Sequence, residues 1–499
     1  NKSSFYQKTQ ERLTVIESEL LFFTLELNKL NEKYISKLKS CKYEYWIKVQ
    51  RMSKKYQKNE SIEKLLLDKS ITSSNSWMRL FDETMARLKF NVSGKKLNES
   101  EVLNLMQSSK TKERKNAAQA FGETLKENSH LFSLITNTLS KDLNIDNKLR
   151  GFKDCDSFRH LNNQVEPEDV RCLVDTVKKN YNVISHKYYK YKAKIFKTDT
   201  LDYWDRNAPY PNQTHEEINW TTAKEIVLKA YGEFDKRIAS IVNLFFLNSW
   251  IHAPVSNGKT SGAFAHPTVP SCHPYILLNY QYKIRDVMTL AHELGHGVHQ
   301  YLANENGLLL ADTPLTLAET ASVFGEMLTF KSILRNATNK DQKRMILRSK
   351  IEDMLNTVIR QIAFYEFEKE IHKKRSEGEL SIDEINNIWL KTQKDSLGSN
   401  VKLSGNYKYF WSYIPHFIHS PFYVYAYAFG DGMVNALYST YRSGMDDFEN
   451  KYLDLLSAGG SKPHTDLLSP FNLDLSENNF WQKGIQVLKD LVTELESLS

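Results

Sequence analysis

The sequence predicts a mostly α-helical, multi-lobed protein, on three observations. Apolar residues recur at helical spacing over long stretches. The most informative histidine pair sits four residues apart on one of them. Only one segment near that pair reads convincingly as strand. Taken in order, residues 1–57 place Leu13, Ile16, Leu20 and Phe23 among lysines and glutamates, the pattern of amphipathic helices. Arg87 to Leu97 reads as a short hairpin, with Leu88, Phe90 and Val92 alternating before a Ser93-Gly94 turn and Lys95, Lys96 and Leu97 returning. Helical spacing resumes from Glu99 to Leu149, and a first lobe ends near Gly151. The expected division is a helical lobe over 1–150 and a catalytic domain over 151–499. A further helical stretch runs from Glu168 to Lys194, followed by the proline-bearing loop Asp202 to Gln213. Gly262 to Tyr280, with β-formers between prolines and a glycine entry, is the strand region.

The 499 residues, 41% hydrophobic, are enough to bury a large core in two to four lobes. No apolar run reaches the length needed to cross a membrane, so no membrane partner is expected. The net charge of +7 is spread over lysines that share their helices with glutamates, the pattern of a solvated surface and not of a nucleic-acid patch. Cys41, Cys155, Cys172 and Cys272 show no framework or metal spacing, which points to a reducing, cytoplasmic setting. The N-x-S/T triplets, such as Asn91-Val92-Ser93 and Asn212-Gln213-Thr214, are what an asparagine-rich chain produces by chance. The chain starts at Asn1 and not at a methionine, which leaves room for upstream residues or a removed signal peptide.

The chemistry is concentrated in Ala291-His292-Glu293-Leu294-Gly295-His296-Gly297-Val298-His299. His292 and His296 leave the same face of a helix and can grip one Zn²⁺ per chain, while Glu293, displaced round the helix, can take a proton from water. A hydrolytic zinc site takes three protein ligands, and Glu319, on a second predicted helix from Leu315 to Leu328, is the third. The loop Asn304 to Pro314 is long enough for the two helices to pack antiparallel. Glu326, seven residues beyond Glu319 and on nearly the same face, can accept a hydrogen bond from a ligand histidine. Ala321, Val323, Phe324 and Gly325 between them suit a buried helix, against the alternative of a solvated charged stripe. His299 reads as a hydrogen-bonded pocket histidine, not as a fourth ligand.

His292-Glu293-Leu294-Gly295-His296 with His299, followed by Glu319-Thr320-Ala321-Ser322, resembles the HExGHxxH and ExxS signatures of the M3 oligopeptidases, in particular their oligoendopeptidase F branch. The resemblance extends to Gly262-Ala263-Phe264-Ala265-His266-Pro267-Thr268-Val269-Pro270, His273-Pro274-Tyr275, Pro415-His416-Phe417 and Pro421-Phe422-Tyr423-Val424-Tyr425. It is weaker in Trp77 to Ser108 and in Arg159 to Val165. It implies a gluzincin-type helix pair with a small β element beside the metal helix, and a deep substrate channel between helical lobes. It also supports edge pairing of a substrate peptide along Gly262, Ala263 and Phe264. Amide hydrolysis puts charge on the carbonyl oxygen, so a hydroxyl or imidazole donor is needed beside the metal. The resemblance implies His416 and a tyrosine of the run Phe422 to Tyr427. Tyr425 is favoured, with Tyr427, Tyr423 and His419 as alternates lining the substrate.

The function expected is a zinc endopeptidase acting on short, unfolded oligopeptides, with Glu293 as general base. A zinc carboxypeptidase or aminopeptidase would use the same helix but would also need a charged group to capture a peptide terminus. A non-catalytic helical binding protein should have lost Glu293 or a ligand, and none is lost. Cleavage preference, biological substrate and oligomeric state have no signature in the chain.

Overall fold

The computed structural model of the protein describes residues 2–39, 41–211, 217–256, 259 and 262–498; the Asn212-Gln213-Thr214 triplet and the end of the 202–213 loop lie outside them. Helices dominate, as expected, and the few strands are two or three residues long. The chain groups into two compact units, each drawn from three stretches of sequence. No helix among the described residues is long and apolar enough to cross a membrane.

One unit comprises Asn1–Asn162, Lys192–Pro211 and Ala363–Val424. It begins with the helix Lys2–Lys29. The helix is as the spacing predicts, but its stripe is not buried: Leu13, Ile16, Leu20 and Phe23 are all 45% exposed or more, and Leu25 is the buried apolar residue. The predicted hairpin is present as β1 (Phe90–Val92) and β2 (Lys95–Leu97), paired antiparallel. Ser93 and Gly94 both take positive φ, the two-residue turn whose twist matches that of the strands. Phe90 points into the core, where its ring stacks on Phe121; Phe410 and Tyr413 meet Phe121 edge-on. A short parallel pair, β3 (Leu201–Asp202) with β7 (Val401–Lys402), ties distant segments together. The buried Arg114 guanidinium bonds Asp205 and the Ser108 carbonyl, so its charge is fully partnered.

The other unit comprises Asn163–Tyr191, Asn212–Ile362 and Tyr425–Ser499. Its main helices are α1 (Trp220–Phe234), α2 (Lys236–Leu247), α3 (Ile284–Ala303), α4 (Leu315–Asn336), α5 (Lys340–Met354), α6 (Tyr425–Arg442) and α7 (Asn478–Ser497). The predicted strand region is β5 (Phe264–His266) antiparallel to β6 (Tyr275–Leu277), and β4 (Ile251–His252) adds a parallel third strand on the far side of β6. β5 is therefore an edge.

The helix pair α3 and α4 packs closely because small residues face each other. A Cβ on Gly295 would stand 2.3 Å from the Ala321 carbonyl oxygen and 2.5 Å from Ser322 Cα. The space over Gly325 is filled by the Tyr231 hydroxyl, which donates to the Ala291 carbonyl at 2.8 Å. As residue numbers rise along α3 they fall along α4, Ala291 lying level with Gly325 and Gly295 with Ala321, so the pair is antiparallel as expected. Helix α6 approaches α4 through Gly430, where a Cβ would lie 3.1 Å from that of Glu319, and meets α7 where Gly484 sits on the Gly432 carbonyl.

Candidate metal centre

Helix α3 starts where Asp286 accepts the backbone N–H groups of Gln281 and Lys283 at 2.7 and 3.0 Å, a charged cap that suits the positive end of a helix. Two turns on, His292 and His296 leave the same face, their rings 4.9 Å apart. Helix α4 brings Glu319 to them: its Oε2 lies 3.4 Å from His292 Nε2 and 3.6 Å from His296 Nε2. One ligand atom from each of the three lies within 4.8 Å of the others. Tetrahedral zinc with bonds of about 2.0–2.2 Å has ligand-to-ligand edges of roughly 3.3–3.6 Å, so two imidazoles and one carboxylate at these separations fit that ion and leave one position open. His299 is not one of the three.

The residues behind these three candidate ligands hold them in place. Ser322 Oγ donates to Glu319 Oε2 at 2.7 Å and aims that carboxylate. Glu326 Oε2 faces His292 Nδ1 at 3.3 Å, and its Oε1 accepts the buried Lys350 ammonium at 2.6 Å. Burial works against the charge on Glu326, but Lys350 and His292 outweigh it and hold the carboxyl far below its usual range. Burial likewise pulls His292 down; the bond to Glu326 and the charges of Glu319, Glu326 and Glu293 overcome it and lift the ring to about 9. His296 is lowered by burial, against the pull of Glu319. Glu319, Glu326 and Glu293 thus all act on the His292 ring.

Glu293, 6% exposed, is pushed up to about 7, chiefly by burial and further by the charge of Glu319. The Ala265 backbone N–H bonds its carboxylate, and Gln300 Nε2 donates to the Ala265 carbonyl at 3.3 Å. Strand β5 is thereby fastened to α3 at Ala265. His299 is buried and lowered to about 4 by burial and by His296, against a bond to the Ala318 backbone; among the described residues its Nε2 has no hydrogen-bond partner. Gly262 and Phe264 are exposed and Ala263 is half-buried.

The structure divides the 413–427 segment between the units. His416, His419 and Tyr423 belong to the unit with Ala363–Val424, where the His416 and Tyr423 rings lie parallel, 6.1 Å apart, and His419 Nε2 lies 2.8 Å from Asp82 Oδ1. Phe422 there takes a positive φ and donates its N–H to the buried Glu368. Tyr425 and Tyr427 open α6 in the metal unit. Tyr425 is fully buried, its hydroxyl oxygen accepting from Asn163 at 2.9 Å, whereas Tyr427 is half-buried and one turn before Gly430, on the helix side that meets Glu319. Lys350, Asp431, Gly430 and Gln300 escaped the sequence reading. Lys350 lies in a helix so rich in charge that it looks solvated, and nothing local distinguishes it.

A model of peptidase family M3 matches residues 104–487, and one of oligopeptidase F matches residues 26–90. Oligopeptidase PepF of Bacillus subtilis is 26% identical over 504 residues, covering 99% of this chain and 74% of that protein. The oligoendopeptidase F homolog of Borreliella burgdorferi is 29% identical, covering 79% of this chain and 67% of its own length. Among solved structures, a peptidase from Chlamydophila abortus superposes with a TM-score of 0.86 at 24% identity, covering 97% of this chain and 83% of the other. Oligoendopeptidase-F from Enterococcus faecium superposes with a TM-score of 0.76 at 20% identity, covering 99% and 85%; these likenesses show a shared fold. With the two family models matched in tandem along its length, this chain belongs to peptidase family M3, the metalloendopeptidases, in its oligopeptidase F branch.

Proposed function

We propose that the protein is a zinc-dependent endopeptidase that cuts internal bonds of short, unfolded oligopeptides, with residues 151–499 as its catalytic domain and the cytoplasm as its setting. The observation that carries this reading is the cluster of His292, His296 and Glu319 with the buried carboxyl of Glu293 on the same helix as the histidines. Nε2 of each histidine and Oε2 of Glu319 would hold the ion. When bound, zinc supplies Lewis acidity, polarising the scissile carbonyl and making water a better acid. Glu293 takes the proton of the attacking water at its carboxylate and delivers it to the amide nitrogen that leaves. Glu326 and Ser322 keep the ligand atoms aimed.

Substrate orientation falls to the edge of β5. In an antiparallel ladder alternate residues turn both backbone groups outward, and Ala265 turns its pair to Glu293 and Gln300. Ala263, two residues before it, lies on the same side and is the position left for pairing with an extended peptide, flanked by Gly262 and Phe264. For the oxyanion donor, the metal unit itself offers the two tyrosines that open α6. Exposure and position on α6 rank Tyr427 ahead of Tyr425.

Glu293→Gln tests the base: the variant should keep zinc and fold and lose about 10²–10⁴-fold in turnover. A zinc-loaded Glu293→Gln chain cleaving at the normal rate would exclude Glu293 from this role. A peptide blocked at both ends separates endopeptidase from exopeptidase, since only the former cuts it.

A further inference from the structure

We propose that Lys350 is a positioning residue of the metal centre: its ammonium pins Glu326, and Glu326 in turn holds the His292 ring with Nε2 toward the ion. This rests on the ion being held by His292, His296 and Glu319. The chain of contacts runs from Lys350 Nζ to Glu326 Oε1 at 2.6 Å, and from Glu326 Oε2 to His292 Nδ1 at 3.3 Å. It ends at His292 Nε2, which stands 3.4 Å from Glu319 Oε2. With one oxygen fixed by an ammonium, the carboxylate cannot swing the other away from the ring. An imidazole that donates from Nδ1 must present its lone pair at Nε2.

Packing does not explain the lysine. Helix α5 already buries Ile346, Leu347, Ile351 and Met354, and Lys350 is the buried charge among them, 5% exposed. A core ion pair gives no net stability over apolar residues of similar volume, so a lysine at this depth points to a use for its charge. That charge sits among three acids, because Asp431 and Asp353 also act on it electrostatically. Of these, the one in contact with a ligand histidine is Glu326.

The experiment measures the zinc dissociation constant of the full chain by competition with a chromophoric chelator, with circular dichroism to confirm folding. His296→Ala is the control: if it binds zinc as the wild type does, the ligand assignment itself fails, and the Lys350 proposal with it. With that control passed, Lys350→Met should bind zinc roughly 10- to 100-fold more weakly. Lys350→Arg, which keeps the charge, should recover most of that loss. Wild-type zinc affinity in a folded Lys350→Met chain overturns the proposal. If Lys350→Met does not fold, Glu326→Gln is compared with Glu326→Gln/Lys350→Met. Lys350 acts only through the side chain at position 326, and without the ammonium the amide oxygen of the substituted glutamine is no longer drawn off the ring. The double variant should therefore bind zinc at least as tightly as the single one, and weaker binding overturns the proposal.

Discussion

Gly295→Ala should damage the metal centre without touching a ligand. The added Cβ would stand 2.3 Å from the Ala321 carbonyl oxygen and 2.5 Å from Ser322 Cα. Carbon and oxygen that are not bonded approach to about 3.3 Å, so relief needs a displacement of roughly 1 Å. Both obstructing atoms are backbone, so no rotamer change absorbs it and α4 itself must move. That helix carries Glu319, whose Oε2 now sits 3.4 and 3.6 Å from the two imidazoles. Overpacking of this kind costs about 1–3 kcal/mol. If the strain is expressed in the ligand geometry, zinc binding weakens about 5- to 150-fold, since about 1.4 kcal/mol is a factor of ten. Turnover of the zinc-saturated variant should also fall by up to about a hundredfold, the scale of a 1 Å misplacement. Chelator competition, a thermal melt and steady-state kinetics on the same preparation measure all three. A Gly295→Ala chain with unchanged zinc affinity, melting point and kcat/KM would mean that the helix contact does not govern ligand placement.

Glu319→Ala should lose zinc to a mild chelator that leaves the wild type loaded, and unchanged zinc content after dialysis would remove Glu319 from the ligand set. Tyr427→Phe should lower kcat by about a hundred- to a thousandfold with little change in KM. Tyr425→Phe, by stripping the partner from buried Asn163, should instead cost about 1–3 kcal/mol of stability; the reverse pattern in kcat would assign the donor to Tyr425, and an effect only in Tyr423→Phe would assign it to Tyr423. His464, 3% exposed and held on Thr316, is lowered to about 4 by burial. Its unfolded value is about 6.5, so between pH 4 and 6.5 the unfolded chain binds the extra proton and stability falls as pH falls, by at most about 3 kcal/mol. Urea midpoints should therefore drop from pH 7 to pH 5 by less in His464→Gln than in the wild type.

The hairpin, the helix pair and the placing of Glu319 and Glu326 were legible because each has a local signature: alternation around Ser93-Gly94, an i, i+4 histidine pair, and carboxylates seven residues apart between small apolar residues. The exposed stripe of the first helix was not, since spacing reports a helix and not what covers it. Lys350 and Gly430 lie 24 and 111 residues beyond Glu326 and Glu319, the side chains they meet, and only the fold joins them. That the outward groups of Ala265 are taken by Glu293 and Gln300, next to the stretch Gly262 to Phe264 expected to pair with substrate, depends on side chains of a helix packed beside the strand and has no local signature.

The seating of α6 against Glu319 has a consequence for how the protein is made. Helix α6 is itself braced by α7, whose Gly484 meets the Gly432 carbonyl, so the shape around Glu319 depends on residues as late as 484. During synthesis, His292, His296 and Glu319 are made more than a hundred residues before the helices that brace them. The nascent chain therefore carries the three candidate ligands before the helices that hold them in register have been made.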